Sequence, residues 1–213
     1  MVEERNQVKS YSQYEEQRFI LEAVGETEED LAAGRVFGAK RYLDIGAWNA
    51  KDKSNTRALF ELGWAGVMIE PSPGPMLGLL AEYGFEERIQ LISTAVSLEP
   101  GLLPLHITHD AVSTSKAEEF ERWKNTVKFI GKMSVPTLTL EQISNQFGGF
   151  DFINLDAEGI SADLFNHAMT LGWEPRCWCV EHDGRTTELL ERATGRGYRC
   201  TYANGTNIVL VRG

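Results

Sequence analysis

Asp44, Gly46 and Glu70 are the residues from which a chemistry can first be argued. They lie in RYLDIGAWNAKDKSNTRALFELGWAGVMIEPSP, from Arg41 to Pro73, which reads as strand, tight glycine turn, helix, strand and then a carboxylate. That order puts Asp44 and Gly46 at the carboxyl end of one buried strand and Glu70 at the end of its neighbour, where doubly wound α/β sheets bind nucleosides. A dinucleotide fold asks for G-x-G-x-x-G, with later glycines that let the backbone approach a pyrophosphate. Here Gly46 stands alone, followed by Ala47, Trp48, Asn49 and Ala50, and the bulk of Trp48 argues against a pyrophosphate cradle and an NAD-dependent oxidoreductase.

S-adenosylmethionine carries no phosphate. It asks for one small residue at the close approach, an acidic residue near its aminoacyl end and a carboxylate that accepts both ribose hydroxyls; Asp44, Gly46 and Glu70 supply that set. The competing reading is a plain βαβ unit with a solvated Asp and Glu at its strand ends. Methyl transfer from a sulfonium is an in-line displacement, so the protein must align the acceptor, take its proton if it is a hydroxyl, and exclude water. Candidates for that work stand at the ends of two later strands: Asp156 and Glu158 in NLDAEG, and Glu181, His182 and Asp183 in CVEHDG. Asp156, Glu181 and His182 could hold a hard divalent ion that lowers the acceptor's pKa. Equally, Asp156 or His182 could act without metal as general base. The alternative for each acid is turn formation or helix capping.

In their order along the chain, DIGAWNAKDKSNT, LGWAGVMIEPSP, TAVS (Thr94 to Ser97), VPTLTLEQI, DFINLDAEG and CVEH resemble the FkbM-type S-adenosylmethionine-dependent methyltransferases. The pieces run from Tyr42 to about His182. The resemblance implies a Rossmann-like class I methyltransferase sheet, α/β, mostly parallel with a C-terminal antiparallel hairpin and helices on both faces. It also implies a cofactor site of Asp44, Gly46, Ala47, Glu70 and Ser72, with Thr94 and Ala95 beside the adenine, and Ser113 and Ser115 in a serine-bearing loop near the acceptor. Family members often carry Asp then Gly where this chain has Asn49 and Ala50. O-methylation of a hydroxyl on a small molecule or carbohydrate is the expected activity; the alternative is an inert cofactor-binding or accessory module of the same fold, which the Asn49 and Ala50 departure favours.

The elements that must position these residues follow from pattern. Strands are expected at Tyr42–Ile45, Val67–Ile69, Ile89–Ser93, Phe150–Leu155 and Cys177–Val180, with helices at Asn55–Leu62, Gly74–Tyr83, Leu140–Gln146, Ser161–Thr170 and Thr186–Thr194 between and after them. YRCTYANGTNIVLV reads as a terminal hairpin around Asn204 and Gly205. From Leu98 to Lys132 the regularity breaks into a Pro-Gly turn, an extended LPLHIT, a polar loop and a charged amphipathic segment, expected as an insertion over the mouth of the sheet. Residues 1–35 are expected as a helical extension (Val8 to Val24) and connector, and 36–213 as one methyltransferase domain.

A net charge of −10 over 213 residues argues against a nucleic-acid partner. Arg122, Lys124, Lys128 and Lys132 read as a solvated helix face. No apolar run approaches the roughly 20 residues of a membrane helix, and the charged N-terminus has no signal core, so a cytoplasmic protein with reduced, packed Cys177, Cys179 and Cys200 is expected. His106 and His109 in the insertion would leave an extended strand on opposite faces, and His167 reads as a surface helix residue. Trp48 and Trp64 could offer a cation–π face to a sulfonium, although packing is the commoner use.

Overall fold

The computed structural model describes residues 9–108, 113–115 and 117–213. Two helices come first, α1 (Glu16–Val24) and α2 (Glu28–Ala32). Then β1 (Arg41–Ile45), α3 (Arg57–Glu61), β2 (Ala65–Ile69), α4 (Pro73–Tyr83) and β3 (Ile89–Ile92) alternate. The insertion follows as β4 (Ala95–Val96), β5 (Gly101–Thr108), α5 (Ala117–Trp123) and β6 (Phe129–Leu138). Alternation resumes with α6 (Leu140–Phe147), β7 (Phe152–Leu155), α7 (Ser161–Leu171), β8 (Cys177–Glu181) and α8 (Thr186–Thr194), ending in β9 (Tyr198–Ala203) and β10 (Asn207–Arg212).

Seven strands form one sheet in the order β3-β2-β1-β7-β8-β10-β9, parallel except for β10, which runs antiparallel to both neighbours. Parallel strands with both faces covered read as short continuous apolar runs, and β7 and β8 are buried along almost their whole length. Alternation sorts their side chains into two cores. Tyr42, Met68, Phe152, Cys177, Cys179 and Val209 pack under α1, α3 and α4. Leu43, Val67, Ile153, Leu155, Trp178 and Val180 pack against α6, α7 and α8.

The first helix is shorter than its expected span, whose first residue, Val8, lies outside the described residues. Two of its own side chains turn back on the preceding segment. Gln17 Oε1 accepts from the Tyr11 amide and Glu16 Oε2 from the Tyr14 amide, both at 2.9 Å, so the chain bends before Glu16. Helix α1 is part of the core: Ile20, Leu21 and Val24 are each 1% exposed, and burial of such side chains stabilises by about 1.5–3 kcal/mol apiece. Within the connector, Thr27 and Asp30 form a reciprocal capping box that starts α2.

The insertion holds a second sheet, order β4-β6-β5, which the sequence reading did not anticipate. Strand β6 pairs antiparallel with β5 from Gly101↔Thr137 to Thr108↔Phe129 and parallel with β4 through Ala95↔Thr137. The arch therefore extends past Lys132 to Leu138. Its small core is Ala95, Leu105, Ile107 and Val135. Among the described residues no helix is long and apolar enough to cross a membrane.

Candidate active site

At the carboxyl ends of β2, β1, β7 and β8 opens a cavity of about 990 Å³. Because Ile45 pairs with Ile69, the turn after β1 lies beside the end of β2. Glu70 closes that junction. Its Oε1 accepts the Ser72 amide at 2.6 Å and its Oε2 the Trp48 amide at 3.1 Å, while the side chain is 4% exposed. Burial pushes its carboxyl pKa up, opposed by those bonds from Ser72 and Trp48. The solvated Glu of the competing reading is thus absent here. The Ser72 side chain bonds the same carboxylate.

Asp44 is also buried, and its partners are neutral: Thr56 Oγ1 at 2.5 Å and Asn154 Nδ2 at 2.9 Å. Burial raises its pKa and these two bonds oppose the rise. Asn154 Oδ1 in turn accepts from Asn55 Nδ2 at 3.0 Å, and the same Nδ2 reaches Cys179 Sγ at 3.5 Å. Asn55 is 7% exposed, and its Oδ1 has no hydrogen-bond partner among the described residues. Gly46 adopts φ 83°, and a Cβ there would meet the Asp156 carbonyl oxygen at 1.8 Å. Glycine is required at this turn by its positive φ and by the protein's own backbone. Ala47 is buried, with its amide on the Ile69 carbonyl at 3.2 Å.

The acids of β7 and β8 meet as expected, but the histidine does not join them. Asp156, Glu158 and Glu181 each bring a carboxylate oxygen within 4.8 Å of the others. Asp156 and Glu181 are hydrogen-bonded, and both pKa values are raised: by burial first and then by the charge of Asp44 for Asp156, and of Asp156 for Glu181. Ser161 Oγ donates to Glu181 Oε2 at 3.2 Å and accepts the Ala157 amide at 2.7 Å. Asp183 is turned to another task, accepting the amides of Gly159 and Ala162 at the start of α7. His182 accepts the Gly184 amide on Nδ1 at 3.0 Å and reaches the Asn204 carbonyl with Nε2 at 3.2 Å. That pattern assigns the proton to Nε2 and ties the ring, which lines the cavity, to the loop after β8 and to the terminal hairpin.

The arch forms the roof. Leu103, Leu105, Ser113, Ser115, Arg122 and Trp123 all line the cavity. Thr94 Oγ1 donates to the Pro136 carbonyl at 2.7 Å and, with Ala95 and Ser72, lines the wall beside Glu70. His106 instead stacks on Phe120 at 4.2 Å, and His167 pairs with Glu141 at 2.8 Å; His109 lies outside the described residues. Trp64 is fully buried, its indole N–H on Glu26 at 2.9 Å, whereas Trp48 lines the cavity with Lys53 over its ring at 5.5 Å. Cys177 and Cys179 are buried, but Cys200 is exposed, so only two of the three thiols are packed. Three of the four non-glycine residues with positive φ among those described, Trp48, Lys53 and Asp183, line this cavity. Such conformations cost about 1–3 kcal/mol each and collect at functional sites.

Sequence reasoning missed Asn154, although it stands two residues before Asp156 and so shares its face of the strand. Asn55, Asn207 and Glu16 carried no local signal. Glu16 is 0% exposed and accepts from the side-chain amides of Asn204 and Asn207 at 2.7 and 3.0 Å, which ties α1 to the terminal hairpin.

Strand order, the antiparallel insertion of β10 and the acids at the strand ends make this sheet resemble that of the class I methyltransferases. A solved structure supports this directly: methyltransferase FkbM from Methylobacillus flagellatus KT superposes with a TM-score of 0.53 at 14% identity, covering 81% of this chain and 43% of that one. The chain thus spans under half the length of that protein. The C-terminal domain of precorrin-6Y C5,15-methyltransferase from Rhodobacter capsulatus aligns over 86% of this chain and 84% of its own at 11% identity, with a TM-score of 0.42. No protein-family model and no curated protein sequence matches the chain.

Proposed function

We propose that this protein is an S-adenosylmethionine-dependent methyltransferase acting on a hydroxyl of a small molecule or carbohydrate. The observation that carries the reading is Glu70: a buried carboxylate at the end of β2, held by Ser72 and the Trp48 amide and lining a cavity next to the Asp44–Gly46 turn. The residues fit the cofactor. A volume of about 990 Å³ takes a nucleoside and an amino acid, and the acids suit a sulfonium and an ammonium. Bound there, the cofactor supplies an activated methyl group.

The chain's own work is then positioning and proton handling. Glu70 holds the ribose, Ser72, Thr94 and Ala95 border the adenine, and Asp44, through Thr56 and Asn154, sets the shape of the turn. Asp156 and Glu181, with raised pKa values, form the acid cluster that receives the acceptor's proton. The arch carrying Ser113, Ser115 and Trp123 covers the acceptor and excludes water.

Asn49 also favours this reading over an inert module. Its Oδ1 accepts the amides of Lys51 and Asp52 at 2.9 and 3.0 Å, the same local turn an Asp would make. Calorimetry with S-adenosylhomocysteine tests the cofactor, and methyl transfer to a panel of hydroxylated small molecules and sugars tests the enzyme. Absence of S-adenosylhomocysteine binding would overturn the reading, whereas binding without turnover on any acceptor would favour the inert module.

A further inference from the structure

We infer, independently of the methyltransferase reading, that the outer face of α4 docks a second copy of this chain, the two helices packing antiparallel about a two-fold axis. The sequence of α4, PGPMLGLLAEY, holds one charged residue, Glu82. That carboxylate is drawn aside by Arg57 Nη1 and Lys51 Nζ, both at 2.7 Å. Met76, Leu79 and Tyr83 turn inward to the core. On the other side Gly74, Leu77, Gly78, Leu80 and Ala81 are exposed, Leu77 at 67% and Leu80 at 46%. A helix that covers a sheet ordinarily shows charged and polar residues to solvent, and one that is apolar all round is buried. The outward face of α4 therefore lacks its cover.

Helix spacing makes this one patch and not a scatter of apolar residues. Leu77 and Ala81 are four apart and Leu77 and Leu80 three apart, so they adjoin on the helix surface. Gly84 keeps helical angles, φ −61° and ψ −18°, and carries the row on to Phe85, which is fully exposed. Contiguous apolar surface of this kind marks an interaction site.

The patch fits itself. A two-fold contact must offer the same surface from both sides, knob and hole together. In an antiparallel pair crossing level with residue 79, Leu77 meets the partner's Ala81, Leu80 the partner's Gly78 and Phe85 the partner's Pro73, each large side chain against a smaller one. A Cβ added at Gly74 or Gly78 would meet nothing within 4 Å, so both leave room for another helix to approach. Charge sets the direction. The first turn of α4 has no acidic residue and no side-chain cap, while Glu86, 3.7 Å from Arg88, and Glu87 stand exposed just beyond its last turn. Antiparallel packing brings those acids beside the partner's positive helix end, whereas parallel packing puts acids against acids. A helix face about 16 Å long buries an area at the low end of specific interfaces, below roughly 1,200 Å² in total, so the pair is expected to dissociate in the micromolar range.

Sedimentation equilibrium of the full-length chain across the micromolar range should show a monomer–dimer equilibrium. Each copy carries a net charge of −10 and the contact itself is apolar, so association should tighten as salt is raised. Leu77→Lys and Phe85→Lys should each weaken it roughly tenfold or more, and Leu102→Lys, at an exposed position of β5, should leave it unchanged. Gly78→Leu is the sharper variant. It adds apolar surface and helix propensity, so unspecific association would strengthen, whereas the close-packed pair would weaken. All four sites are exposed, and circular dichroism confirms that the variants fold. A chain that stays monomeric throughout, one that grows past the dimer, or a dimer that survives Leu77→Lys, Phe85→Lys and Gly78→Leu overturns the proposal.

Discussion

The carbonyl oxygen of Asp156 fills the place where a side chain on Gly46 would begin: an ideal Cβ there stands 1.8 Å from that oxygen and 2.7 Å from its carbon. The turn after β1 therefore bears directly on the turn after β7, and the acid of one site half is set by the backbone of the other. Gly46→Ala must either push these turns apart or abandon φ 83°. A loss of roughly 2–4 kcal/mol in urea unfolding is expected. Wild-type stability in this variant would show that the two turns do not bear on each other.

Glu70 bridges two loops by accepting the amides of Trp48 and Ser72, so its substitution reports on both cofactor and loop order. Glu70→Gln replaces one acceptor oxygen with a donor that faces a backbone N–H. S-adenosylhomocysteine affinity is expected to fall roughly tenfold to a hundredfold, as for loss of a charge-assisted hydrogen bond of about 1.5–3 kcal/mol. Equal affinity in calorimetry would remove Glu70 from the ribose site.

Local pattern carried the main sheet because parallel strands are short apolar runs cut by glycine and proline, and LDIG, MIEP, FINLD and CVEH each carry an acidic residue at or beside the strand's end that marks the cleft edge. Boundaries drifted where a side chain outvotes the helix, as Gln17 and Glu16 do before α1. The arch was not legible, because β6 pairs with partners some 30 residues away and FIGKMSVPTL alternates weakly. The contact of His182 with the Asn204 carbonyl of a distant hairpin carried no signal in CVEHDG. Spacing shows which residues share a strand end; it does not show which of them are already bonded.

Glu16 is buried and accepts from the Tyr14 amide and from the side chains of Asn204 and Asn207. Glu16→Ala leaves these donors unpaired next to the core, at about 1–3 kcal/mol for each that water cannot reach. Unfolding should shift to lower urea, and hydrogen exchange should quicken in β10, where Asn207 begins. Exchange that quickens in α1 alone would show that the hairpin does not depend on this contact.

The acid cluster makes an expectation for pH. Asp156 and Glu181 both hold raised pKa values in the folded chain, through burial first and then through the charge of Asp44 on Asp156 and of Asp156 on Glu181. A carboxyl that is harder to ionise when folded binds more protons in the native than in the unfolded state, so its contribution to stability is fully present below the ordinary carboxyl pKa near 4 and is lost as pH rises through the folded value. Other carboxylates, such as Glu82 beside Lys51 and Arg57, are shifted down and act in the opposite sense, so the informative quantity is a difference. In chelator, the Tm of Glu181→Gln minus that of wild type should grow steadily from about pH 4 upward through neutral, because glutamine has no proton to lose. Parallel Tm curves for the two proteins across this range would mean that Glu181 ionises in the native chain as it does in the unfolded one, and the crowding of the three carboxylates would then have no energetic consequence.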